Sequence, residues 1–269
     1  MGRLDGKVAV VTGAARGQGR AHAVALAKEG ATIVALDILE SLRTPLHEGS
    51  TAEDMAETVR LVEKEGQRIL AGKVDARDLT ALTEFADQAF AEFGRIDVLA
   101  VNHGIWAISE NAWETEEEDW QESIDVLLTG AWKVTKAFVP KIIEGGRGGS
   151  VILTSSAMGI KAQPSSVAYT VAKHGVLGLM KTLAWEAGRH NIRANAILPG
   201  MVDTKMLQGE TIEKSSEWQP RFFTLDRSLL PDGLIPPDGI SRAVVFLASD
   251  ESAFITGAAL PVDAGWTTF

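Results

Sequence analysis

The chain of 269 residues contains no cysteine, which excludes disulfides and thiolate metal sites. No apolar run approaches the roughly eighteen residues of a membrane-spanning helix, and the first residues predict no signal peptide. Positive charge is also scarce: 36 Asp and Glu outnumber 26 Lys and Arg, for a net charge of −10. That balance argues against nucleic acid or an anionic membrane as a partner. We therefore expect a cytoplasmic protein with no metal site.

Tyrosine is almost as scarce, because Tyr169 is the only one in the chain. Lys173 follows four residues later, so on a helix the two side chains share one face. The pKa of a phenol, near ~10, is too high for proton exchange at neutral pH, and a neighbouring ammonium lowers it. Ser156 follows the apolar run 151–153, where a hydroxyl at a strand end can hold an alcohol or carbonyl oxygen. These residues predict a catalytic group, although Tyr-x-x-x-Lys alone also fits an ordinary helix pair.

The first forty residues read as a strand, a glycine turn, a helix and a second strand. Lys7–Thr12 and Thr32–Asp37 are continuous apolar runs of the kind found in strands buried on both faces. The turn between them contains Gly13, Gly17 and Gly19, and a helix of small residues follows. Glycines in this place let the backbone approach a pyrophosphate, and the helix amino terminus favours its charge. The segment therefore predicts a dinucleotide-binding unit.

Asp37 ends the second strand and indicates which dinucleotide binds. Its carboxylate can accept hydrogen bonds from the adenosine ribose and would repel a 2′-phosphate, which favours NAD over NADP. Arg16 is the only nearby residue that suggests the opposite, and we interpret it as a surface arginine. Asp75, after the third strand, is either an adenine contact or an ordinary turn acid. The insertion at about 38–55 is predicted to lie over the adenosine end of the cofactor.

The remaining sequence continues to alternate strands with helices. Further strands are predicted at 68–74, 96–101, 150–154, 192–198 and 259–263, and one long helix from about Glu114 to Phe138. This alternation predicts an α/β fold: a single Rossmann domain over 1–269, with a seven-stranded parallel sheet and helices on both faces. Residues 203–237 are apolar without a helical period, which predicts a substrate lid or an irregular packing segment.

Taken together, these motifs resemble the short-chain dehydrogenase/reductase family over essentially the whole chain. The matching features are Thr12-Gly13-x-x-x-Gly17-x-Gly19, Asp37, Asp75, Asn102 with Gly104, Ser156, Tyr169-x-x-x-Lys173, Pro199-Gly200 and Asp263-Ala264-Gly265. The resemblance implies that Tyr169 is the acid/base and that Ser156 polarises the reacting oxygen. It also implies that Lys173 binds the nicotinamide ribose and lowers the pKa of the tyrosine.

The resemblance also implies a set of cofactor-binding residues. Thr204 would contact the carboxamide or pyrophosphate, and backbone groups of Ile197 and Val202 would orient the nicotinamide ring. The residues expected to bind NAD are Gly13, Arg16, Gly17, Gln18, Gly19, Asp37, Asp75, Ala76, Asn102, Gly104, Tyr169, Lys173, Pro199, Gly200, Val202 and Thr204.

Assembly is a further expectation from the family, in which the two long helices, here about 114–139 and 167–188, pair with a second subunit. A homotetramer is therefore expected. Trp120, Trp132 and Trp185 lie on these helices and fit either such pairing or burial within one chain.

The segment Gly17-Gln18-Gly19-Arg20-Ala21-His22-Ala23 and the insertion after Asp37 are similar to the carveol dehydrogenase subgroup. Members of that subgroup are associated with tightly held NAD that is reoxidised through the redox peptide mycofactocin. The sequence offers no clear anchor for a charged substrate, which favours a hydrophobic secondary alcohol, cyclic or terpenoid-like, and its ketone as substrates. Trp106, Met158, Met206 and Trp218 are the expected substrate contacts.

Two positions depart from the family pattern. Leu127 stands where the family has an asparagine that supports a helix distortion and a water path to the lysine, which implies slower proton exchange. His103 replaces a small residue, and it faces the ribose or substrate or, in the interpretation we prefer, is structural. Two alternatives to an NAD-dependent alcohol dehydrogenase follow. One is an NADPH-dependent ketoacyl reductase, which Asp37 opposes; the other is a catalytically weakened nucleotide-binding protein, which only Leu127 favours.

Overall fold

A seven-stranded parallel sheet runs through the protein, whose computed structural model describes residues 2–223, 228–230 and 234–268. The strands are β1 (Val8–Thr12), β2 (Thr32–Asp37), β3 (Ile69–Lys73), β4 (Val98–Val101), β5 (Gly149–Thr154), β6 (Ile192–Pro199) and β7 (Ala259–Val262). Their order across the sheet is β3-β2-β1-β4-β5-β6-β7. β1 and β4 are buried throughout, as their unbroken apolar runs predict, whereas the edge strands β3 and β7 are partly exposed. The predicted fold class is confirmed.

Helices cover both faces of this sheet. They are α1 (Gly17–Lys28), α2 (Ala52–Lys64), α3 (Leu79–Phe93), α4 (Glu117–Ile124), α5 (Gly130–Gly145), α6 (Val167–Ala187), α7 (Glu210–Trp218), α8 (Pro220–Phe223) and α9 (Pro237–Ala248). α1, α2 and α9 pack on one face around Leu26, Val62 and Val244. α3, α5 and α6 pack on the other around Leu82 and Phe138. Within the described residues, no helix is both long and apolar enough to cross a membrane.

The helix predicted to continue from about Glu114 to Phe138 is interrupted. α4 begins at Glu117, and Asp125–Thr129 form a π turn before α5. The N–H of Gly130 donates to the carbonyl of Asp125, five residues earlier, where an α-helix would use the residue four earlier. The wider hydrogen-bond spacing of the π turn does not end the helix. The apolar residues on either side therefore still follow a single helical pattern in the sequence. The prediction of an unbroken helix is wrong at this turn.

The insertion after β2 is irregular over residues 38–51 and then enters α2. Thr51 caps that helix: its Oγ1 accepts the Asp54 N–H at 3.2 Å, and the Asp54 carboxylate accepts the Thr51 N–H at 3.1 Å. This reciprocal capping box fixes the start of α2 at Ala52. The irregular segment therefore ends at 51, before the predicted limit of about 55.

The predicted lid at 203–237 contains more regular structure than its sequence indicates, because α7 and α8 both lie within it. Residues 224–227 and 231–233 of this segment lie outside the described residues. A parallel bridge pairs Val202 with Ile235, which brings the two ends of the segment together. The two ends of the predicted lid segment therefore lie close together beside β6.

Candidate active site

The strand order reverses between β1 and β4, and a cavity of about 560 Å³ opens at the carboxyl ends of the strands there. Its lining lacks Ile197 but contains all the other residues expected to bind the cofactor, namely Gly13, Arg16, Gly17, Gln18, Gly19, Asp37, Asp75, Ala76, Asn102, Gly104, Tyr169, Lys173, Pro199, Gly200, Val202 and Thr204. Ser156 and Met206 line it as well. In the described part of the chain, no group of His, Asp and Glu is arranged to hold a metal ion.

The turn between β1 and α1 exposes its backbone to one end of the cavity. Gly13 has a φ of 65°, and a Cβ there would lie 2.8 Å from the Cα of His103. A Cβ on Gly19 would overlap the Gly13 carbonyl oxygen, so α1 approaches the turn only because Gly19 lacks a side chain. The amino terminus of α1 therefore reaches the cavity, where its unpaired N–H groups and dipole suit a pyrophosphate.

Asp37 and Asp75 lie at the ends of neighbouring strands but have different partners. Asp37 accepts the Ala15 N–H on Oδ2 at 3.0 Å and the Ser50 hydroxyl on Oδ1 at 2.6 Å. Oδ1 also accepts the Leu39 N–H at 3.4 Å, whereas Oδ2 retains a lone pair for a further donor. Asp75 instead forms an ion pair of 2.7 Å with Arg77. Burial alone would raise the pKa of Asp75, but hydrogen bonds from Arg77 lower it overall.

Arg16 fastens the insertion to the glycine turn. Its guanidinium donates to the carbonyls of Glu48 at 2.6 Å and Gly49 at 3.0 Å. One of its nitrogens lies 3.4 Å from Nδ1 of His47. All three partners belong to residues 38–51, so the interpretation of Arg16 as a simple surface arginine is wrong.

The same insertion extends from the end of β2 as far as α4. Arg43 forms an ion pair of 2.7 Å with Asp119 of that helix. Leu42 lines the cavity and packs against the apolar cluster that contains Ile105 and Leu127. The insertion is therefore held at both ends over one side of the cavity.

Ser156, Tyr169 and Lys173 line the same cavity as the glycine turn. Tyr169 and Lys173 lie one turn apart on α6, as predicted, and the ammonium is 5.5 Å from the centre of the phenol ring. The Lys173 ammonium donates to the Thr154 carbonyl at 2.8 Å. The Ser156 hydroxyl accepts the N–H of Met158 at 3.1 Å, which fixes its side chain just after β5. The end of one strand and one face of a helix thus supply all three side chains.

Burial determines the protonation of these groups. It lowers the pKa of Lys173 to about 8. It raises the pKa of Tyr169, and a hydrogen bond with Ser156 opposes that rise. The phenol of the chain by itself is therefore protonated at neutral pH. The expectation that the lysine lowers the pKa of the tyrosine below its ordinary value is not met by the protein residues alone.

Comparison with known proteins shows the family. The family model described as Enoyl-(Acyl carrier protein) reductase matches residues 13–267. A (−)-trans-carveol dehydrogenase of Rhodococcus erythropolis is 38% identical over 275 residues, which cover 99% of each chain. The chain belongs to the short-chain dehydrogenase/reductase family. The resemblance predicted from its motifs is confirmed.

Two solved structures of this family are very similar. The crystal structure of carveol dehydrogenase from Mycobacterium avium in complex with NAD has a TM-score of 0.95 and 42% identity, and all of both chains is covered. That of a short chain dehydrogenase from Mycobacterium paratuberculosis bound to NAD has a TM-score of 0.94 and 43% identity, again with full coverage of both. These names belong to the relatives, but they agree with the expected subgroup.

The substrate contacts expected for this member of the family are only partly brought to the cavity. Met206 lines it, whereas Trp106, Met158 and Trp218 do not. Trp106 is buried, and its indole N–H donates to the Ser166 hydroxyl at 2.8 Å. Met158 lies in a small apolar cluster, and Trp218 ends α7. The prediction of these contacts rested on their positions in the sequence, which do not indicate the direction in which the side chains point.

The apolar cluster around Met158 packs against Tyr169. Met158 and Trp266 are buried in it, and Phe222 of α8 is partly buried against it. The rings of Phe222 and Trp266 lie 6.5 Å apart with a tilt of 58°. The residues after β5, the predicted lid segment and the turn near the carboxyl terminus therefore form an apolar wall next to the Tyr169 ring.

His103 occupies a position that sequence reasoning marked as unusual without finding its partners. Its Nδ1 lies 2.7 Å from the Thr12 hydroxyl and its Nε2 lies 3.1 Å from the Val126 carbonyl. Burial, and then the charge of Lys173, lower the pKa of His103 to about 4, so the ring is neutral at physiological pH. Both ring nitrogens are bonded within the protein, in agreement with the structural interpretation.

Proposed function

We propose that this chain is an NAD-dependent alcohol dehydrogenase/reductase that interconverts a hydrophobic secondary alcohol and its ketone. One observation carries the proposal. A single cavity joins the glycine turn and Asp37 to Ser156, Tyr169 and Lys173. A dinucleotide lying along this cavity would present its reactive ring to the only tyrosine of the chain.

The residues present fit NAD. The contact between Gly19 and the Gly13 carbonyl leaves a cradle of bare backbone for a pyrophosphate, which a side chain would fill. Asp37 keeps acceptor capacity at the ribose end, and its negative charge disfavours a 2′-phosphate. Complexes with NAD in the M. avium and M. paratuberculosis relatives support the same choice. NAD would supply the hydride acceptor, or NADH the donor.

The protein residues would manage the proton. In alcohol oxidation the Tyr169 phenolate takes the hydroxyl proton, and in ketone reduction the phenol returns it. Ser156 holds the reacting oxygen through its hydroxyl. The buried Lys173 ammonium, 5.5 Å from the tyrosine ring, stabilises negative charge on the phenolate. Because the phenol of the chain alone is protonated, a positively charged nicotinamide would add to this stabilisation.

The apolar residues around Tyr169 support the substrate class. Met206 and Leu207 line the cavity, and the apolar cluster of Met158, Phe222 and Trp266 forms a wall against Tyr169 outside the cavity lining. Such a wall favours a bulky, uncharged ring, because burying a charged substrate group without a partner is costly. The relative named (−)-trans-carveol dehydrogenase supports a cyclic terpenoid-like alcohol.

Two measurements on the purified full chain test this function. Denaturing it and identifying the released nucleotide by mass should give NAD rather than NADP. A panel of cyclic secondary alcohols, assayed with added NAD and with an artificial electron acceptor, should give turnover. Tyr169→Phe should reduce that turnover by at least about 10²-fold while nucleotide binding persists. Full activity of Tyr169→Phe would reject the mechanism, and a preference for NADP would favour a ketoacyl reductase.

We also propose that the protein is a homotetramer. Trp185 of α6 is 89% exposed and Trp132 of α5 is 45% exposed, so these side chains are not buried within one chain. Exposed tryptophans on two long helices that cover the same face of the sheet suit a subunit interface. Sedimentation analysis tests the proposal: Trp185→Glu should shift the species toward smaller assemblies, and a monomeric parent protein would contradict it.

A further inference from the structure

The π turn leaves one backbone carbonyl in need of a partner. Gly130 donates its N–H to Asp125, so Val126 loses the donor that an α-helix would provide. The Val126 carbonyl instead lies 3.1 Å from Nε2 of His103, which comes from the loop after β4. A side chain 23 positions away in sequence thus supplies the missing hydrogen bond.

The surrounding bonds determine which ring nitrogen of His103 carries the proton. The Thr12 hydroxyl oxygen accepts the N–H groups of Asn102 at 2.9 Å and His103 at 3.1 Å. With both lone pairs engaged, the hydroxyl can only donate to Nδ1, 2.7 Å away. Nε2 then carries the hydrogen and donates it to Val126. The tautomer follows from the network, and the end of β1 orients the ring.

The site is shaped to receive this imidazole. A Cβ on Gly130 would lie 3.1 Å from Nε2 and 3.1 Å from the Asp125 carbonyl oxygen, so a side chain at the start of α5 would press on the ring and on the π turn itself. The bond therefore depends on a glycine in the helix as well as on the histidine. His103 connects β1, β4 and the π turn at one point.

The π turn in turn touches the catalytic helix. Leu127, 1% exposed, packs in a cluster with Ala172 and Tyr169 of α6. Its Cδ2 would lie 3.1 Å from a Cβ placed on Gly104, and the same Cβ would be 3.8 Å from Nζ of Lys173. The π turn that His103 holds therefore packs Leu127 close to Tyr169 and Lys173.

We propose that His103 is a positioning residue for the reaction. Its Nε2 hydrogen bond to the Val126 carbonyl holds the π turn, and through Leu127 the turn sets the place of Tyr169 and Lys173. His103 acts through other residues rather than on the reacting atoms. The proposal relies on the proposed function only for its kinetic measurement.

Four variants of the full chain test this role. His103→Gln keeps an N–H donor, whereas His103→Met has similar length and none. Gly130→Ala keeps the imidazole but pushes it from the carbonyl, and it replaces His103→Met if that variant does not fold. His190→Ala is the control. His190 lies between α6 and the start of β6, at the opposite end of the strands from the cavity, and its Nε2 accepts a hydrogen bond from Arg189.

The single tyrosine allows a measurement that needs no substrate. Tyrosine labelled with ¹³C at Cζ gives one resonance, which reports the surroundings of Tyr169 directly. We expect His103→Met and Gly130→Ala to shift or broaden it, His103→Gln to restore it in large part, and His190→Ala to leave it unchanged. An unshifted resonance in folded His103→Met and Gly130→Ala would overturn the proposal, whatever the substrate proves to be.

Kinetics supply the second measurement, with an alcohol found active in the panel. We expect His103→Met to lower kcat by roughly ten- to hundredfold, because small misplacements of acting groups have effects of that size. The Kd for NAD should change by less than kcat does, because the glycine turn and Asp37 bind the other parts of the cofactor, although His103, Tyr169 and Lys173 line the same cavity. His103→Gln should recover most of kcat. A loss confined to NAD affinity, or no recovery with glutamine, would assign His103 another role.

Discussion

The ammonium of Lys173 donates to the main-chain carbonyl of Thr154 at 2.8 Å, although the residue is only 4% exposed. A lysine in this position exchanges most of its hydration for one fixed hydrogen bond. Burial accordingly lowers its pKa to about 8. The charge that we propose to assist Tyr169 therefore destabilises the fold.

We expect Lys173→Met to raise the free energy of unfolding by about 1–3 kcal/mol near neutral pH, because methionine fills the space without a charge. The pKa of Lys173 is about 8 in the folded chain, whereas the ordinary value of a lysine is 10.5. The destabilisation is therefore complete below pH 8 and disappears as pH rises toward 10.5. Urea unfolding at about pH 7 and pH 10 measures it. Exposed Lys181→Met on α6 is the control, and no gain over it would contradict the prediction.

Two buried histidines predict sensitivity to acid. Burial lowers the pKa of His22 to about 3 and that of His103 to about 4, from 6.5. Between these values and 6.5 the unfolded chain binds protons that the folded chain excludes, so the free energy of unfolding falls as pH is lowered. His22→Gln should weaken this dependence, which thermal unfolding across the window measures. A slope equal to that of the parent and of exposed His174→Gln would show that His22 does not contribute.

The sheet and the site could be predicted largely because parallel strands are simple in sequence. Val8–Thr12 and Thr32–Asp37 are unbroken apolar runs, and the residues that follow such strands meet along one edge of the sheet. Ser156, Tyr169 and Lys173 come together for that reason, with the additional help of helical spacing. For these residues, the position in the local sequence pattern also determines the position in the folded chain.

Contacts between irregular segments could not be predicted in this way. Arg16 reaches the Gly49 carbonyl 33 positions away, in an insertion without any period. The π turn leaves the apolar spacing of its helix readable as continuous, and its bond from His103 has no sequence pattern. The resemblance to the family associates the helix distortion with an asparagine, yet the distortion is present with Leu127. In this chain His103 instead provides a hydrogen-bond partner for the Val126 carbonyl at the distortion.

Asp37→Asn tests the choice between NAD and NADP. The amide cannot repel a 2′-phosphate and loses half of the acceptor capacity, so we expect NAD to bind roughly tenfold more weakly and the preference over NADP to fall. Calorimetric titration with both nucleotides measures the ratio. Glu40→Gln is a matched control, since Glu40 lines the same cavity but forms an ion pair of 2.9 Å with Lys73. A ratio that changes equally in both variants would show that general charge, not Asp37, decides.

Arg16→Lys should loosen the insertion without unfolding the protein. A lysine cannot reproduce the fork that donates to Glu48 and Gly49 at 2.6 and 3.0 Å. Amide hydrogen exchange over residues 41–51 should therefore become faster, while exchange in β1 and β2 stays unchanged. Arg43→Lys, at the other end of the insertion, provides a comparison because its contact with Asp119 is a single ion pair. Unchanged exchange in Arg16→Lys would mean that the remaining contacts hold the insertion.

Leu127→Asn tests whether proton exchange limits this enzyme. Leu127 is buried against Ile105, Ala172 and Tyr169, so an amide there should cost about 1–3 kcal/mol of stability. It would also offer a polar group beside Lys173, where the leucine offers none. If proton release past the lysine is slow, kcat for alcohol oxidation should rise in Leu127→Asn and its pH profile should change, but not in Leu127→Ala, which disturbs the apolar packing without introducing an amide. Identical pH profiles of kcat in the parent protein, Leu127→Asn and Leu127→Ala would show that the apolar turn does not slow proton release. The turn would then act on Tyr169 and Lys173 only by positioning them.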